Sequence, residues 1–405
     1  MKRLLIIFTI LLYTAAIRST VNACTTLIVS GKFTNDGRPL LWKNRDTNVL
    51  DNKLMFFADG KYTYIALVNS DDKDVSEIWI GFNSAGFAIM NSASYNLNVD
   101  DTTGVKDRDG ELMKLALQNC ATVDEFENFL REMKKPMGVE SNFGVIDAQG
   151  GAAFFETGNF TFIKLDANDP AIAPYGYILH TNYSFTGKRD LGHGYIRYLT
   201  AEELIFEATG VYDLDYKFII QKLARSLRHS LTNVDLYKYP LTPQDEYNFV
   251  TFEDFIPRYG SSSSVVIQGV KTGESPALTT MWTVLGFPLC SFTVPVWLTP
   301  YGKLPKTLTA EYPANAPLCD FALELKKKCY PVTRGHGERY LNLTALLNTD
   351  KTGILQKLVP FENDILNETK WRLHDWRKNG INYAEVIQYY KWIDEVVFPK
   401  YKNLF

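Results

Sequence analysis

From Cys24 to about Met90, apolar residues come in short blocks with turn residues between them. TTLIVSG and RPLLWKN flank KFTNDGR, whose Asn35-Asp36-Gly37 has the residue types of a tight hairpin. LMFFADG, YTYIALVNS and SEIWIGFNSAGFAIMNSASYN continue the strand pattern, with turns at Asp59-Gly60 and from Asn69 to Asp72. The period then changes, and Asp109 to Lys135 is predicted helical. Within it Thr122-Val123-Asp124-Glu125 is a capping box, with Phe126, Phe129 and Leu130 at helical spacing behind it. Strands are predicted again at SNFGVIDAQG, GAAFFETG and GYILHTNYS, helices around Tyr198–Ala208 and Tyr216–Leu231, and a strand pair at SSVVIQGV and ALTTMWTVLG. After Pro300 the chain is rich in Lys, Tyr and Trp, and NDILNETKWRLHDW through YAEVIQYYKWIDEVV reads as helix.

Strand blocks interrupted by helix pairs predict an α+β layered domain rather than a parallel βαβ sheet. Residues 24–300 are expected to form the main domain and residues 301–405 a C-terminal helical extension packed on it. Residues 1–23 read as a signal peptide. Lys2 and Arg3 make a basic start, Leu4 to Tyr13 an apolar core, and Val21 and Ala23 fit a small-residue cleavage site. The apolar run is shorter than the roughly 20 residues that span a bilayer, so no stable membrane insertion is expected after cleavage. The expected location is secreted or periplasmic.

A net charge of -3 gives no electrostatic reason to expect nucleic acid. The five cysteines are Cys24, Cys120, Cys290, Cys319 and Cys329. Cys120 reads as a core thiol, and Cys319 and Cys329 are close enough in sequence to bridge a local loop. DDTTGVKDRDGE lacks the ligand order of a calcium loop and reads as a solvated loop. His180 and His193 read as structural or solvent-facing, and no metal or cofactor is expected.

Cys24 stands where the leader would be cut, in VNACTTLIV. Three readings compete: a lipid anchor, an ordinary structural thiol, and a nucleophile exposed by the cut. A lipidated cysteine is normally followed by a flexible polar tether, whereas Cys24 leads straight into a strand. A structural thiol leaves the coincidence with the cleavage site unexplained. An N-terminal cysteine carries its own base, because an α-amine titrates at about 8 and a free thiol at about 8.5. The nucleophile is the reading adopted.

The mature Cys-Thr-Thr start, the Asp-Gly hairpin and LLWKNRDT together resemble the choloylglycine hydrolase, penicillin V acylase and acyltransferase group of N-terminal-nucleophile hydrolases. The group's second strand carries Gly-Arg-Asn-Met-Asp; WKNRD matches it with Asn44 and Asp46, has Lys43 at the arginine position, and places Arg45 two residues on. IWIGFNSAGFAIMNSASYN is similar to the group's next strand pair and implies Asn91 as a site asparagine. NFGVIDAQGGAAFFETG resembles its glutamate-ending hairpin, and GYILHTNYS implies Asn182 as the second asparagine. The resemblance runs from Cys24 to about Trp297 and implies a four-layer αββα sandwich.

It also implies roles. Cys24 is the nucleophile, Asp46 orients its α-amine, Lys43 or Arg45 is the cation beside the sulfur, and Asn91 and Asn182 donate to an oxyanion. Each has a plain structural alternative: a turn or surface pair for Asp46, strand-surface cations for Lys43 and Arg45, turn asparagines for Asn91 and Asn182, and a sequon at Asn182-Tyr183-Ser184. Arg197 and Arg258 are further candidates for the cation. The expected activity is hydrolysis of a linear non-peptide amide of a small molecule through an acyl-Cys24 intermediate. The alternatives are an acyltransferase passing the acyl group to an amine, and a non-catalytic surface lipoprotein anchored at Cys24. Oligomerisation stays open.

Overall fold

The computed structural model describes residues 23–210 and 214–405. Of the expected signal peptide it describes Ala23 alone; the rest lies outside the described residues. Two antiparallel sheets are stacked face to face. In the first, strands β1 (Ala23–Val29), β2 (Leu40–Asp46), β10 (Tyr177–His180), β14 (Ser261–Gln268), β15 (Thr280–Leu285) and β16 (Val294–Val296) run in the order β10-β1-β2-β14-β15-β16. The second contains β3 (Asn52–Phe57), β4 (Tyr64–Asn69), β5 (Ile80–Asn83), β6 (Ala88–Ala93), β7 (Ser141–Ile146), β8 (Ala152–Thr157) and β9 (Phe162–Asp166), paired in sequence order.

Period-two alternation sorts the side chains of the second sheet between two cores. On β4, Ile65 and Leu67 face the first sheet, while Tyr64, Ala66 and Val68 face helices; β8 divides the same way, with Ala152 and Phe154 inward and Ala153 and Phe155 outward. The outer core is closed by α1 (Asp109–Asn119) and α2 (Val123–Glu132). The opposite face of the first sheet is covered by α3 (Tyr195–Gly210), by a short helix at Tyr216–Phe218 that runs on into a π-helical turn at Ile219–Leu223, and by the C-terminal helices. The layers are α, β, β, α, with an α+β composition.

Residues 109–135 form two helices rather than one, because Thr122 caps the second: its Oγ1 accepts from the Glu125 amide at 3.1 Å. The expected helix over Tyr216–Leu231 stops at Leu223. Beyond it the chain turns, so that Arg225 is buried and bonds Glu362 through two nitrogens at 2.7 Å and the carbonyls of Pro288 and Ser291 at 2.8 Å. The two-residue strands β11 (Arg228–His229) and β12 (Val234–Asp235) follow. Further along, β13 (Phe249–Thr251) pairs with β17 (Tyr340–Asn342), which ties residues beyond Pro300 to those before it.

The C-terminal helices α4 (Pro317–Cys329), α5 (Ile354–Asn379) and α6 (Tyr383–Trp392) share the main core. Trp297 packs edge-on against Trp376, with ring centres 5.0 Å apart, and its amide donates to the Tyr390 hydroxyl at 2.7 Å. Cys319 and Cys329 lie on one helix, α4, where ten residues separate sites by about 15 Å. They cannot bridge each other. Cys329 instead has its sulfur 3.5 Å from that of Cys290.

Candidate active site

Strands β1 and β2 pair so that Cys24 lies opposite Arg45, Thr26 opposite Lys43 and Ala23 opposite Asp46. Directly opposed residues share a face, so Cys24, Thr26, Lys43 and Arg45 point between the sheets, and Asp46 points the other way with Asn44. The two faces carry different chemistry.

On the inner face, Cys24 lines a cavity of about 560 Å³ together with Lys43, Arg45, Trp79, Asn91, Tyr95 and Asp109. Lys43 donates to the Trp79 carbonyl at 3.0 Å and to Asn91 Oδ1 at 2.6 Å. It reaches Asn91 because β5 pairs with β6 only as far as Met90, which leaves the next position uncovered. Asn91 Nδ2 donates to Ser141 Oγ at 3.1 Å and to Asp109 Oδ2 at 3.2 Å. Both amide hydrogens are thus engaged, and Asn91 holds Lys43 rather than presenting a free donor to an oxyanion. An ammonium has three hydrogens, so Lys43 retains one beyond those two bonds.

Burial lowers Lys43 to about 8, opposed by the charge of Cys24. Burial also lowers Arg45 to about 10; its guanidinium stacks 4.3 Å over the Trp79 ring and donates to Asn69 Oδ1 at 2.8 Å. Lys43 bonds the oxygen of Asn91, and Arg45 leans on Trp79, so Lys43 is the cation that the site's amide network holds. Burial raises Asp109 to about 7, against the hydrogen bonds of Ser141 and Asn91 and the charge of Lys43.

The Cys24 amide points away from β2 and donates to Asn182 Oδ1 at 2.9 Å. The same oxygen accepts from Arg197 Nη2 at 2.8 Å, and Arg197 Nη1 donates to the Cys24 carbonyl at 2.7 Å. Arg197, one turn into α3, lies against the backbone on both sides of the nucleophile. Gly194, with φ of +87°, makes this approach; a Cβ there would lie 2.5 Å from Arg197 Nη2. Asn182 Nδ2 is given to the Ala93 carbonyl at 2.8 Å. The role implied for Asn182 is donation to an oxyanion; in this structure its oxygen holds the Cys24 nitrogen and its nitrogen the Ala93 carbonyl.

Asp46 is also placed differently from expectation. Its carboxylate is held by Ser261 Oγ at 2.6 Å, Arg258 Nε at 2.8 Å and Asn44 Nδ2 at 3.3 Å, and it is the partner of Arg258. The structure therefore brings Cys24, Lys43, Arg45, Asp46 and Asn91 to one cavity, with the Asp46 carboxylate given to Arg258 and Ser261, and sets Asn182 and Arg197 against the Cys24 backbone. Asp109 and Trp79 were not foreseen; an acid opening a helix reads as a favourable end charge, and only the tertiary fold turns it into the cavity. The stretch from Asp101 to Asp107, expected to be a solvated loop, contributes Asp101, Gly104, Val105, Lys106 and Asp107 to the cavity wall.

No family model and no curated protein matches the chain. Among solved structures it is similar to an ortholog of N-acylethanolamine-hydrolyzing acid amidase from Caenorhabditis elegans, at 13% identity over 62% of this chain and 93% of that one, with a TM-score of 0.41. It is similar to a mutant of conjugated bile acid hydrolase from Clostridium perfringens, at 12% identity over 68% and 92%, TM-score 0.42. It is also similar to penicillin V acylase from Agrobacterium tumefaciens, at 13% identity over 68% and 86%, TM-score 0.36. Two of these names are those of the group that the sequence resembles. Likenesses of this size carry no functional inference.

Proposed function

We propose that this chain, exported and cut before Cys24, is an amidase that cleaves a linear, non-peptide amide of a small molecule. The observation that carries the reading is a single residue with its thiol in a cavity and its nitrogen held by Asn182 Oδ1 at 2.9 Å. Once the chain begins at Cys24, that nitrogen is an α-amine beside its own thiol. The amine takes the thiol proton, the sulfur attacks the carbonyl, and the remaining Lys43 hydrogen meets the developing oxyanion. The C–N bond then breaks, and the leaving amine takes its proton from the α-ammonium. Water attacks the thioester and gives a proton to the α-amine; the C–S bond then breaks, the acid is released, and the thiolate recovers that proton from the α-ammonium. A lipid on the same sulfur would have to fill the cavity instead of reaching a bilayer, which disfavours the anchor reading.

The test compares protein beginning at Cys24 with protein retaining Ala23, on a panel of acyl amides. Turnover is expected only from the first, with an acyl adduct on Cys24 trapped by mass spectrometry. Equal turnover from both removes the α-amine from the mechanism. Adding an acceptor amine separates hydrolysis from acyl transfer by the product formed.

A further inference from the structure

Among the described residues no carboxylate is bonded to the Lys43 ammonium, and its partners are the Trp79 carbonyl and an asparagine oxygen. The carboxylate nearest in the network is one residue away: Asp109 bonds the nitrogen of the same Asn91 at 3.2 Å. An asparagine between a cation and an anion has one orientation available, with oxygen to the donor and nitrogen to the acceptor. Asp109 thereby fixes the amide that fixes Lys43. It also lies in the cavity wall and, when ionised, supports the charge of Lys43 from there.

We propose that Asp109 is a positioning residue, acting through Asn91 to hold the Lys43 ammonium in place and in its charged form. The proposal rests on the amidase reading for its catalytic consequence, and on the Lys43–Asn91–Asp109 hydrogen bonds for the link itself. The titratable groups around the pair are Cys24 from β1, Arg45 from β2 and Asp107 from the loop before α1. Asp46, Glu77, Tyr95, Asp101, Lys106 and Glu140 line the same cavity. With Asp109 ionised, Lys43 keeps its proton to higher pH than its burial would allow. With Asp109 neutral, Arg45 and burial act on Lys43 against only the charge of Cys24.

The experiment follows the Lys43 side chain by NMR in protein labelled with 13C-lysine, assigning its resonance by loss in Lys43→Arg. In Asp109→Asn the hydrogen bond to Asn91 survives and the charge is lost, so the Lys43 titration midpoint is expected to fall by at least about half a pH unit. In kinetics at pH 8 the same variant should lose kcat several-fold with KM within about twofold, and Asp109→Ala, which also frees Asn91, should lose more. An unmoved Lys43 midpoint in Asp109→Asn overturns the proposal. A moved midpoint with wild-type kcat and KM overturns the positioning role while leaving the electrostatic link. A moved midpoint in Asp109→Asn, with a wild-type protein that turns over no amide, counts against the amidase reading, not against the link.

Discussion

Asp46 shows what a single residue does when the pleat turns it away from the nucleophile. Its carboxylate is buried, bonded to Ser261 and Arg258, and faces away from the Cys24 side chain. Asp46→Asn keeps the size but leaves Arg258 without its counter-charge, so a stability loss of about 1–3 kcal/mol is expected in a urea melt, alongside a lower kcat. A variant with wild-type stability would show that the pair contributes nothing. Asn182→Ala should act differently. It frees the Cys24 nitrogen and Arg197 together, and kcat should fall by about two orders of magnitude with near-normal KM, since Asn182 is not among the residues lining the cavity. Asp109 adds a pH dependence to stability. Its carboxyl is raised to about 7 by burial, so its contribution is fully present below the ordinary value of about 4 and lost as pH rises through about 7. Asp109→Asn removes that slope, and its melting temperature should gain on wild type as pH goes from 4.5 to 7.5.

At the scale of elements, the β1–β2 hairpin was legible because its turn chemistry and its alternation agree. Register then follows, and with it the sharing of a face by Cys24, Lys43 and Arg45. The role of Asn91 was not legible, because it depends on β5 ending short of its position. Nor was that of Arg197, which needs α3 to pack across the end of β1 on the opposite face. The end of the helix at Leu223 was hidden for a similar reason. Its sequence reads as helix onward, and what overrides this is a carboxylate more than a hundred residues away, Glu362 on α5. That buried pair gives a prediction for the element it anchors. Glu362→Gln leaves the Arg225 guanidinium without charge compensation at a site 1% exposed, a loss of about 3–5 kcal/mol, readable as a lower denaturant midpoint.

Across the whole molecule, the C-terminal helices complete the core around Trp297 instead of standing apart from it. A chain ending at residue 300 would leave Trp297 and the outer face of β15 and β16 in water, and is expected to be insoluble or unfolded by circular dichroism. Cys290 and Cys329 join the same two regions, with sulfurs 3.5 Å apart. Both thiols are fully buried, so they can be oxidised only as the chain folds: refolding under oxidising conditions should give one linked Cys290–Cys329 peptide, while Cys319, near the opposite end of α4, stays free. The placement of Ala23 bears on timing. The bond before Cys24 lies inside a paired strand, with Ala23 2% and Cys24 7% exposed. A peptidase needs its target extended and open, and the closed sheet offers neither. The proposed cut before Cys24 therefore carries an order with it: the bond would be severed before the sheet closes over it, or by the folded molecule itself. In protein that folds uncut, an added protease is expected to leave the bond between Ala23 and Cys24 intact until the sheet is unfolded.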